Sequence, residues 1–167
     1  MVFFDDARPR FIGASPFQLS SAGQTYWVEP NAPGYFLAFD RNGNGKIDDK
    51  TELFGDQDGE GNGFDALKEL DSNKDGVIDG KDRKFAKLLL WNDKNGDGVS
   101  QPEELQSAVK AGIVKISLKF KRNHKSYGET AEARQASEFT FKKAGKVRKG
   151  VVEDIWFAPV PGSAGKK

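Results

Sequence analysis

Several residue types are missing or scarce in this chain of 167 residues, and each absence excludes a class of function. There is no cysteine, which excludes disulfide bonds, thiolate metal sites and cysteine nucleophiles. The single histidine, His124, stands alone in a polar stretch, and we expect an exposed bystander there rather than a metal ligand or a catalytic base. No apolar run approaches the roughly 20 residues that a membrane helix needs, so we expect no membrane span.

The start of the chain, MVFFDDARPRF, also lacks a basic head followed by an apolar stretch and a small-residue cleavage site. We therefore expect no signal peptide within this sequence, and a secretion signal would lie elsewhere or in a longer chain. The overall composition, with 37% hydrophobic and 31% charged residues, is typical of a polar globular protein. The length predicts one domain, or one domain with tails.

The net charge of +1 conceals a strong asymmetry along the chain. Residues 40–104 contain 17 acidic and 10 basic side chains, whereas residues 105–167 contain 5 acidic and 14 basic side chains. The central segment should therefore attract cations, and the C-terminal segment should attract anions or the central segment itself.

The acidic segment contains three stretches with one pattern: DRNGNGKIDDKTE, DSNKDGVIDGKD and DKNGDGVSQPEE. Oxygen-bearing side chains stand at positions 1, 3 and 5, and a glycine at position 6 permits a sharp turn. A carbonyl at position 7 and a carboxylate near position 12 complete a set that suits calcium, which takes about 6–8 oxygen ligands. The pattern therefore predicts calcium-binding loops of the EF-hand type, holding two to three calcium ions.

The predicted ligands are the following. In the first loop (40–52) they are Asp40, Asn42, Asn44, the carbonyl of Lys46, Asp48 and, one residue late, Glu52. In the second loop (71–82) they are Asp71, Asn73, Asp75, the carbonyl of Val77, Asp79 and Asp82. In the third loop (93–104) they are Asp93, Asn95, Asp97, the carbonyl of Val99, Gln101 by way of a water molecule, and Glu104.

Two alternatives compete with calcium. Asn, Asp and Gly also form simple turns, but three copies with a carboxylate at or next to the closing position favour a cation. Magnesium prefers fewer protein ligands, although the short closing residue Asp82 makes the second loop the most tolerant of it. A fourth acidic stretch, residues 56–65, lacks a closing carboxylate and is predicted to be a connector.

The segments between the loops predict short helices and strands. Helical spacing of apolar residues predicts helices in residues 63–70, 81–91 and 101–112, and YFLAFD predicts a strand that enters the first loop. We expect Ile47 and Ile78, at position 8 of the first two loops, to pair the loops. Alternation in IVKISLKF, and the segments SEFTF and VVEDIWF, predict strands, whereas residues 121–136 are predicted to be a polar loop.

Taken in order, the segments YWVEPNAPGYFLAFDRNGNGKID, ELFGD, NGFDALKELDSNKDGVID, LLLWNDKNGDGVSQPEEL, ISL and EDIWF resemble a known module. They are similar to the EF-hand-like calcium-binding module of iron-regulated, RTX-type secreted bacterial proteins, over residues 25–158. The resemblance implies an α+β fold that orders on binding calcium, with EF-hand-like loops and short helices packed on a small antiparallel sheet of N- and C-terminal strands. It also implies an extracellular setting.

Some members of that family are self-processing modules, in which calcium promotes cleavage of an Asp–Pro bond ahead of the module. This chain departs from that pattern, because none of its seven prolines follows an aspartate. The resemblance thus favours a calcium-binding module that is not an enzyme, and self-processing would need an Asp–Pro upstream of this sequence.

The sequence as a whole predicts an N-terminal extension or edge strand (1–24), a calcium-binding module (25–158, with its C-terminal strands in 113–158) and a disordered tail (159–167). We expect a monomer whose folding depends on calcium, located outside the cell or at its surface. The basic C-terminal region leaves open an adhesion or polyanion-binding module, although such charge is more often a solvated surface and nucleic acid is not the favoured partner.

Overall fold

The computed structural model describes residues 1–55 and 61–163. Within these ranges the chain forms eleven β-strands and one α-helix. The strands are β1 (Val2–Phe3), β2 (Phe11–Ala14), β3 (Tyr26–Val28), β4 (Phe36–Ala38), β5 (Val77–Asp79), β6 (Leu89–Trp91), β7 (Leu105–Ser107), β8 (Ile113–Ser117), β9 (Lys121–Ser126), β10 (Ala131–Lys143) and β11 (Lys146–Phe157). The helix α1 is Gly63–Leu67, and short 3₁₀ turns lie at Lys50–Glu52, Lys68–Leu70, Phe85–Lys87 and Pro102–Glu104.

The largest sheet is antiparallel and has six strands in the order β1-β11-β10-β8-β5, with β9 also paired to β10. Its centre is the long hairpin β10–β11, which closes with Lys143 opposite Lys146. The two residues between them, Ala144 and Gly145, both have positive φ, the geometry of a tight two-residue hairpin turn. One edge of β10 pairs with β9 along its first half and with β8 along its second half. The register of β10 shifts between Ala133 and Gln135.

A smaller antiparallel sheet has the order β4-β6-β7 and carries two of the predicted calcium loops. The first loop follows β4, and the third loop connects β6 to β7. Phe36 pairs with Trp91, which pairs in turn with Leu105. The two loops therefore extend from neighbouring strands of one sheet.

Two hydrophobic clusters form the core. One surrounds α1 and the buried face of the six-stranded sheet, and it includes Phe64, Ile78 and Ile116. The other is rich in aromatic rings around Trp27, which stacks on Phe36 at 4.9 Å between ring centroids. The second cluster lies beneath the β4-β6-β7 sheet and so supports the first and third loops.

The predicted α+β fold class is wrong, because the described chain is mainly antiparallel β-structure with one helix of five residues. Residues 81–91 and 101–112, predicted to be helical, each form one 3₁₀ turn followed by a strand. The apolar run at Leu88–Trp91 suits a buried strand as well as a helix, and pairing with β4 and β7 on both sides selects the strand. In residues 1–55 and 61–163, the helices that flank loops in an EF-hand are thus absent, apart from α1 and its 3₁₀ continuation before the second loop.

The predicted polar loop at 121–136 is also wrong. This segment contains β9 and the first part of β10. Its side chains are mostly charged or polar, so the alternation of apolar and polar residues that identifies a half-buried strand is missing. Backbone pairing along the edge of β10 determines the strand instead.

Other strand predictions are confirmed. β4 enters the first loop, β8 contains the alternating IVKIS, and SEFTF and VVEDIWF lie in β10 and β11. No helix in the described ranges has the length and apolar character to cross a membrane.

Two predicted segments lie partly outside the described residues. The connector at 56–65 is described only from residue 61, and the tail at 159–167 only to residue 163. Within the described part of the tail, Pro159 forms a bridge with Thr25 and Val160 donates its N–H to the carbonyl of Gln24.

Candidate metal sites

The three predicted loops follow one course from the carboxylate at position 1 to the glycine at position 6. In each loop one oxygen of the first aspartate accepts the backbone N–H of that glycine, at 2.8 Å in the first and third loops and 2.9 Å in the second. The three glycines have φ between +67° and +82°. The pairs are Asp40 with Gly45, Asp71 with Gly76, and Asp93 with Gly98.

The side chains at positions 3 and 5 shape the turn in the same way in all three loops. The position 3 oxygen accepts the N–H of position 5, and the position 5 oxygen accepts the N–H of position 7. The residues are Asn42, Asn44 and Lys46 in the first loop, Asn73, Asp75 and Val77 in the second, and Asn95, Asp97 and Val99 in the third. The repeated hydrogen bonds direct side-chain oxygens toward the inside of each turn.

The closing carboxylates Glu52, Asp82 and Glu104 are all buried. Each accepts the backbone N–H of the residue at position 2 of its own loop, at 3.0, 2.8 and 2.8 Å respectively. The late position of Glu52 is accommodated by the 3₁₀ turn Lys50–Glu52, which Asp49 caps. All three closing residues therefore lie across the loop from its first residue, as the sequence pattern requires.

The third loop is tied to the aromatic core by two tryptophans. Trp27 donates its indole N–H to Asp93 at 2.6 Å, and Trp91 donates to Glu104 at 3.2 Å. All four side chains are buried. The calcium-loop pattern in the sequence includes neither tryptophan. Trp91 lies just before the loop and could have been suspected, whereas nothing in the local sequence connects Trp27 to it.

The first loop contacts the third loop rather than the second. Ile47 donates its N–H to Ser100 Oγ at 2.7 Å, and this hydroxyl donates back to the carbonyl of Ile47 at 3.2 Å. The predicted pairing of Ile47 with Ile78 is therefore wrong, since Ile78 pairs with Ile116 of β8. The expected apolar pair at position 8 is replaced by a serine, Ser100, which pairs through its hydroxyl.

Hydrogen bonds favour the ionised form of two loop carboxyl groups, Asp82 and Asp97. Burial alone would raise the pKa of Asp82, but backbone N–H donors, chiefly those of Asp79 and Ser72, hold it below its usual value. The N–H of Val99 is the main reason that the pKa of Asp97 is lowered. An ionised carboxylate is the form that binds a hard cation.

Side-chain amide N–H groups donate hydrogen bonds to several carboxylate oxygens that would otherwise be available to bind a cation. In the third loop, Asn95 and Gln101 donate to the same oxygen of Asp97, at 2.9 and 2.7 Å. The other end of the Gln101 amide, Oε1, is buried and has no hydrogen-bond donor among the described residues. A buried acceptor without a donor is costly, and a cation or its bound water would satisfy it. The donor set of the third loop thus fits calcium.

The carboxylates of the three loops do not form metal-holding groups by themselves within the described residues. In residues 1–55 and 61–163, no three His, Cys, Asp or Glu side chains are close enough together to hold a metal ion. Each loop mixes carboxylates with amide and carbonyl oxygens, and the amides are turned toward the carboxylates. The loops have the course of a calcium loop, and closing around an ion would require the amide donors to rotate away.

The basic C-terminal residues lie at one end of the long hairpin and along β9. Exposed cations there are Lys121, Arg122, Lys142, Lys143, Lys146, Arg148 and Lys149. Lys149 is paired with Glu138 at 2.9 Å. His124 is exposed in β9.

Comparison with known proteins gives two findings. A family model described as SPM domain matches residues 17–158, a range that contains all three loops. The iron-regulated protein FrpA of Neisseria meningitidis serogroup C is 40% identical to this chain over 122 residues. That similarity covers 70% of this chain and 11% of FrpA, so the chain spans about a tenth of the length of the curated relative it matches.

Proposed function

This chain belongs to the SPM domain family, and from that premise we propose that it is a calcium-binding module whose folding and stability depend on calcium. The observation that carries the proposal is the shared construction of the three loops. Each has a first carboxylate bonded to the position 6 glycine and a buried closing carboxylate bonded to position 2. Both contacts recur in all three loops, which is more than turn formation alone requires.

Charge gives the proposed dependence on calcium its physical basis. Residues 40–104 carry a net charge of −7, which opposes compaction of the loops. Two or three divalent ions would cancel most of that charge, and an ion that binds only the folded loops stabilises the folded state. In this proposal the protein lies outside the cell, because extracellular calcium modules work at millimolar concentrations of the ion. We also propose that it is a monomer.

A calcium titration followed by tryptophan fluorescence tests the proposal. Trp27 and Trp91 donate to two predicted ligands of the third loop, so an ion that binds Asp93 and Glu104 changes the environment of both indoles. We expect a saturable change in emission as calcium is added to chelator-treated protein, and a much weaker response to magnesium. An unchanged spectrum, or an equal response to magnesium, would contradict the proposal.

The Ser100→Ala variant tests whether the first and third loops act together. Ser100 is the direct polar link between the two loops, and it is buried. Without its hydroxyl the N–H of Ile47 loses its acceptor, so we expect binding to the two loops to become independent and stability to fall by about 1 kcal/mol. Calorimetric titration would show this as a loss of cooperativity, and Ser126→Ala, in exposed β9, is the matched control. Equal cooperativity in both variants would show that Ser100 does not couple the loops.

We also propose that this chain does not cleave itself. Self-processing of the kind that the family resemblance implies requires an Asp–Pro bond, and none is present. Carboxylates that bind calcium stay ionised and lose basicity, which makes them poor general acids. Mass spectrometry after incubation with calcium should show one unchanged species, and a discrete calcium-dependent fragment or a lysine-linked dimer would overturn this proposal.

A further inference from the structure

Four asparagine–glycine pairs occur in the chain, and three of them lie in the predicted calcium loops. In such a pair the backbone nitrogen of the glycine can attack Cγ of the asparagine and expel ammonia, because glycine has no side chain to hinder the approach. Water then opens the resulting succinimide ring to aspartate or isoaspartate, so a neutral amide becomes a carboxylate. The pairs are Asn42–Gly43, Asn44–Gly45, Asn62–Gly63 and Asn95–Gly96.

The first loop holds Asn42 in a shape that favours this attack. Asn42 Oδ1 accepts the N–H of Asn44 at 3.0 Å, a bond that closes a ring containing the Gly43 nitrogen and polarises the side-chain carbonyl. The N–H of Gly43 donates to Asp40 Oδ1 at 2.8 Å, so a carboxylate faces the proton that this nitrogen must lose. A Cβ built at Gly43 would meet no atom within 4 Å, so the backbone there has open space around it.

The other two loop pairs have the same backbone hydrogen bonds, but their side-chain amide nitrogens are held. Asn44 Nδ2 donates to Asp48 at 2.9 Å, and Asn95 Nδ2 donates to Asp97 at 2.9 Å. These bonds must break before ammonia can leave. Asn42 is exposed, and its Nδ2 has no hydrogen-bond acceptor among the described residues.

The fourth pair is fixed by the start of the helix α1. Asn62 Oδ1 accepts the N–H groups of Phe64 and Asp65, and Asn62 Nδ2 donates to Asp65 at 2.7 Å. Gly63 is buried in the first turn of the helix. Attack at Asn62 would therefore require the helix start to open.

From this comparison we propose that Asn42 is the asparagine of this chain that deamidates most readily. A bond forms between Gly43 N and Asn42 Cγ, the bond from Cγ to Nδ2 breaks, and Nδ2 leaves as ammonia with the proton that Gly43 loses. Hydrolysis to aspartate adds a carboxylate to the predicted ligands of the first loop, whereas hydrolysis to isoaspartate lengthens the backbone of the turn. The site itself does not depend on the proposed calcium function, but its control by calcium rests on that function.

Peptide mapping by mass spectrometry, with fragment spectra that separate Asn42 from Asn44, measures the rate at each pair. The 167-residue chain is incubated in chelator with sucrose, which favours the folded state without occupying the loops, and in urea as the unfolded reference. Circular dichroism confirms folding in sucrose. Relative to its rate in urea, Asn42 should deamidate about fivefold faster than Asn44, the factor that one exposed hydrogen bond contributes. Equal relative rates at these two residues, or a faster one at Asn95 or Asn62, would overturn the proposal.

The Asp48→Ala variant tests the reason for the difference. It removes the acceptor of the Asn44 amide and leaves the contacts of Asn42 in place. In chelator, the rate at Asn44 should rise about fivefold, to that at Asn42. Thr51→Ala, which shortens an exposed side chain in the same loop, is the control and should change neither rate. An unchanged rate at Asn44 in Asp48→Ala would show that the held amide is not what distinguishes Asn42, and would overturn the proposal.

A parallel incubation in millimolar calcium separates this inference from the proposed function. An ion bound to Asn42 Oδ1 fixes the side chain, so we expect Asn42 to deamidate more slowly in calcium than in chelator. The same rate in both, with Asn42 still ahead of Asn44 in chelator, would contradict calcium binding at the first loop and leave Asn42 as the modification site.

Discussion

We expect the Glu104→Gln variant to lose most of the proposed calcium binding at the third loop, and the Glu103→Gln variant to keep it. Glu104 is the predicted closing ligand, and calcium at this position uses both oxygens of a carboxylate. Glutamine supplies one oxygen and no charge, so we expect the affinity of the third loop to fall by about 100-fold. Calorimetric titration of the two variants measures the difference directly.

We also expect the Glu104→Gln variant to be less stable than the wild-type chain without calcium. One oxygen of Glu104 accepts the N–H of Lys94 at 2.8 Å, and the other accepts the indole of Trp91 at 3.2 Å. An amide has one acceptor oxygen, so one buried donor loses its partner, at a cost of about 1–3 kcal/mol. Urea denaturation in chelator would show this loss.

Glu103 is the matched control because it is adjacent, exposed and carries the same charge. If both variants weaken calcium binding equally, the loss comes from net charge alone. The third loop would then not be closed by Glu104.

The backbone path of the loops could be predicted from the sequence, because the pattern that defines the loops is local. A carboxylate at position 1, a glycine at position 6 and a carboxylate near position 12 imply contacts within about a dozen residues. The positive φ of Gly45, Gly76 and Gly98 agrees with the expected sharp turn. Gly98 has a further constraint, since a Cβ there would lie 2.7 Å from the backbone nitrogen of Phe17.

The strands and sheets around the loops could not be predicted from the sequence in the same way. The apolar run at Leu88–Trp91 reads equally well as helix or strand, and partners distant in sequence decide between them. β9 has no apolar pattern and forms because β10 offers it an edge. Only strands with clear alternation or a confined apolar run, such as β8 and β4, could be identified from their own residues.

The contacts that connect the loops to one another and to the core were missed for a related reason. Ser100 links to Ile47, which is 53 residues away, and Trp27 links to Asp93, which is 66 residues away. Neither Ser100 nor Trp27 is a residue that the calcium-loop pattern specifies. Both contacts follow from the pairing of strands that the sequence pattern misassigned.

We expect calcium to raise the melting temperature of the chain more than any of the proposed substitutions changes it. An ion present at about 100 times its dissociation constant contributes about 2.7 kcal/mol per independent site, provided that it binds only the folded state. Two or three sites would contribute about 5–8 kcal/mol. In a chain of this size about 1 kcal/mol corresponds to roughly 2–4 °C, so we expect a rise of at least about 10 °C.

Two controls separate site binding from screening of the acidic segment. Sodium chloride at matched ionic strength screens the net charge of residues 40–104 without occupying the loops. Magnesium at the same concentration has the charge of calcium but prefers fewer protein ligands. Both should raise the melting temperature much less than calcium does.

Differential scanning calorimetry of the 167-residue chain in chelator and in millimolar calcium therefore tests the central claim most directly. The proposed function predicts one cooperative transition in calcium, at a temperature at least about 10 °C higher than in chelator and well above that in either control salt. The same melting temperature in chelator and in calcium, or an equal rise in sodium chloride, would contradict it.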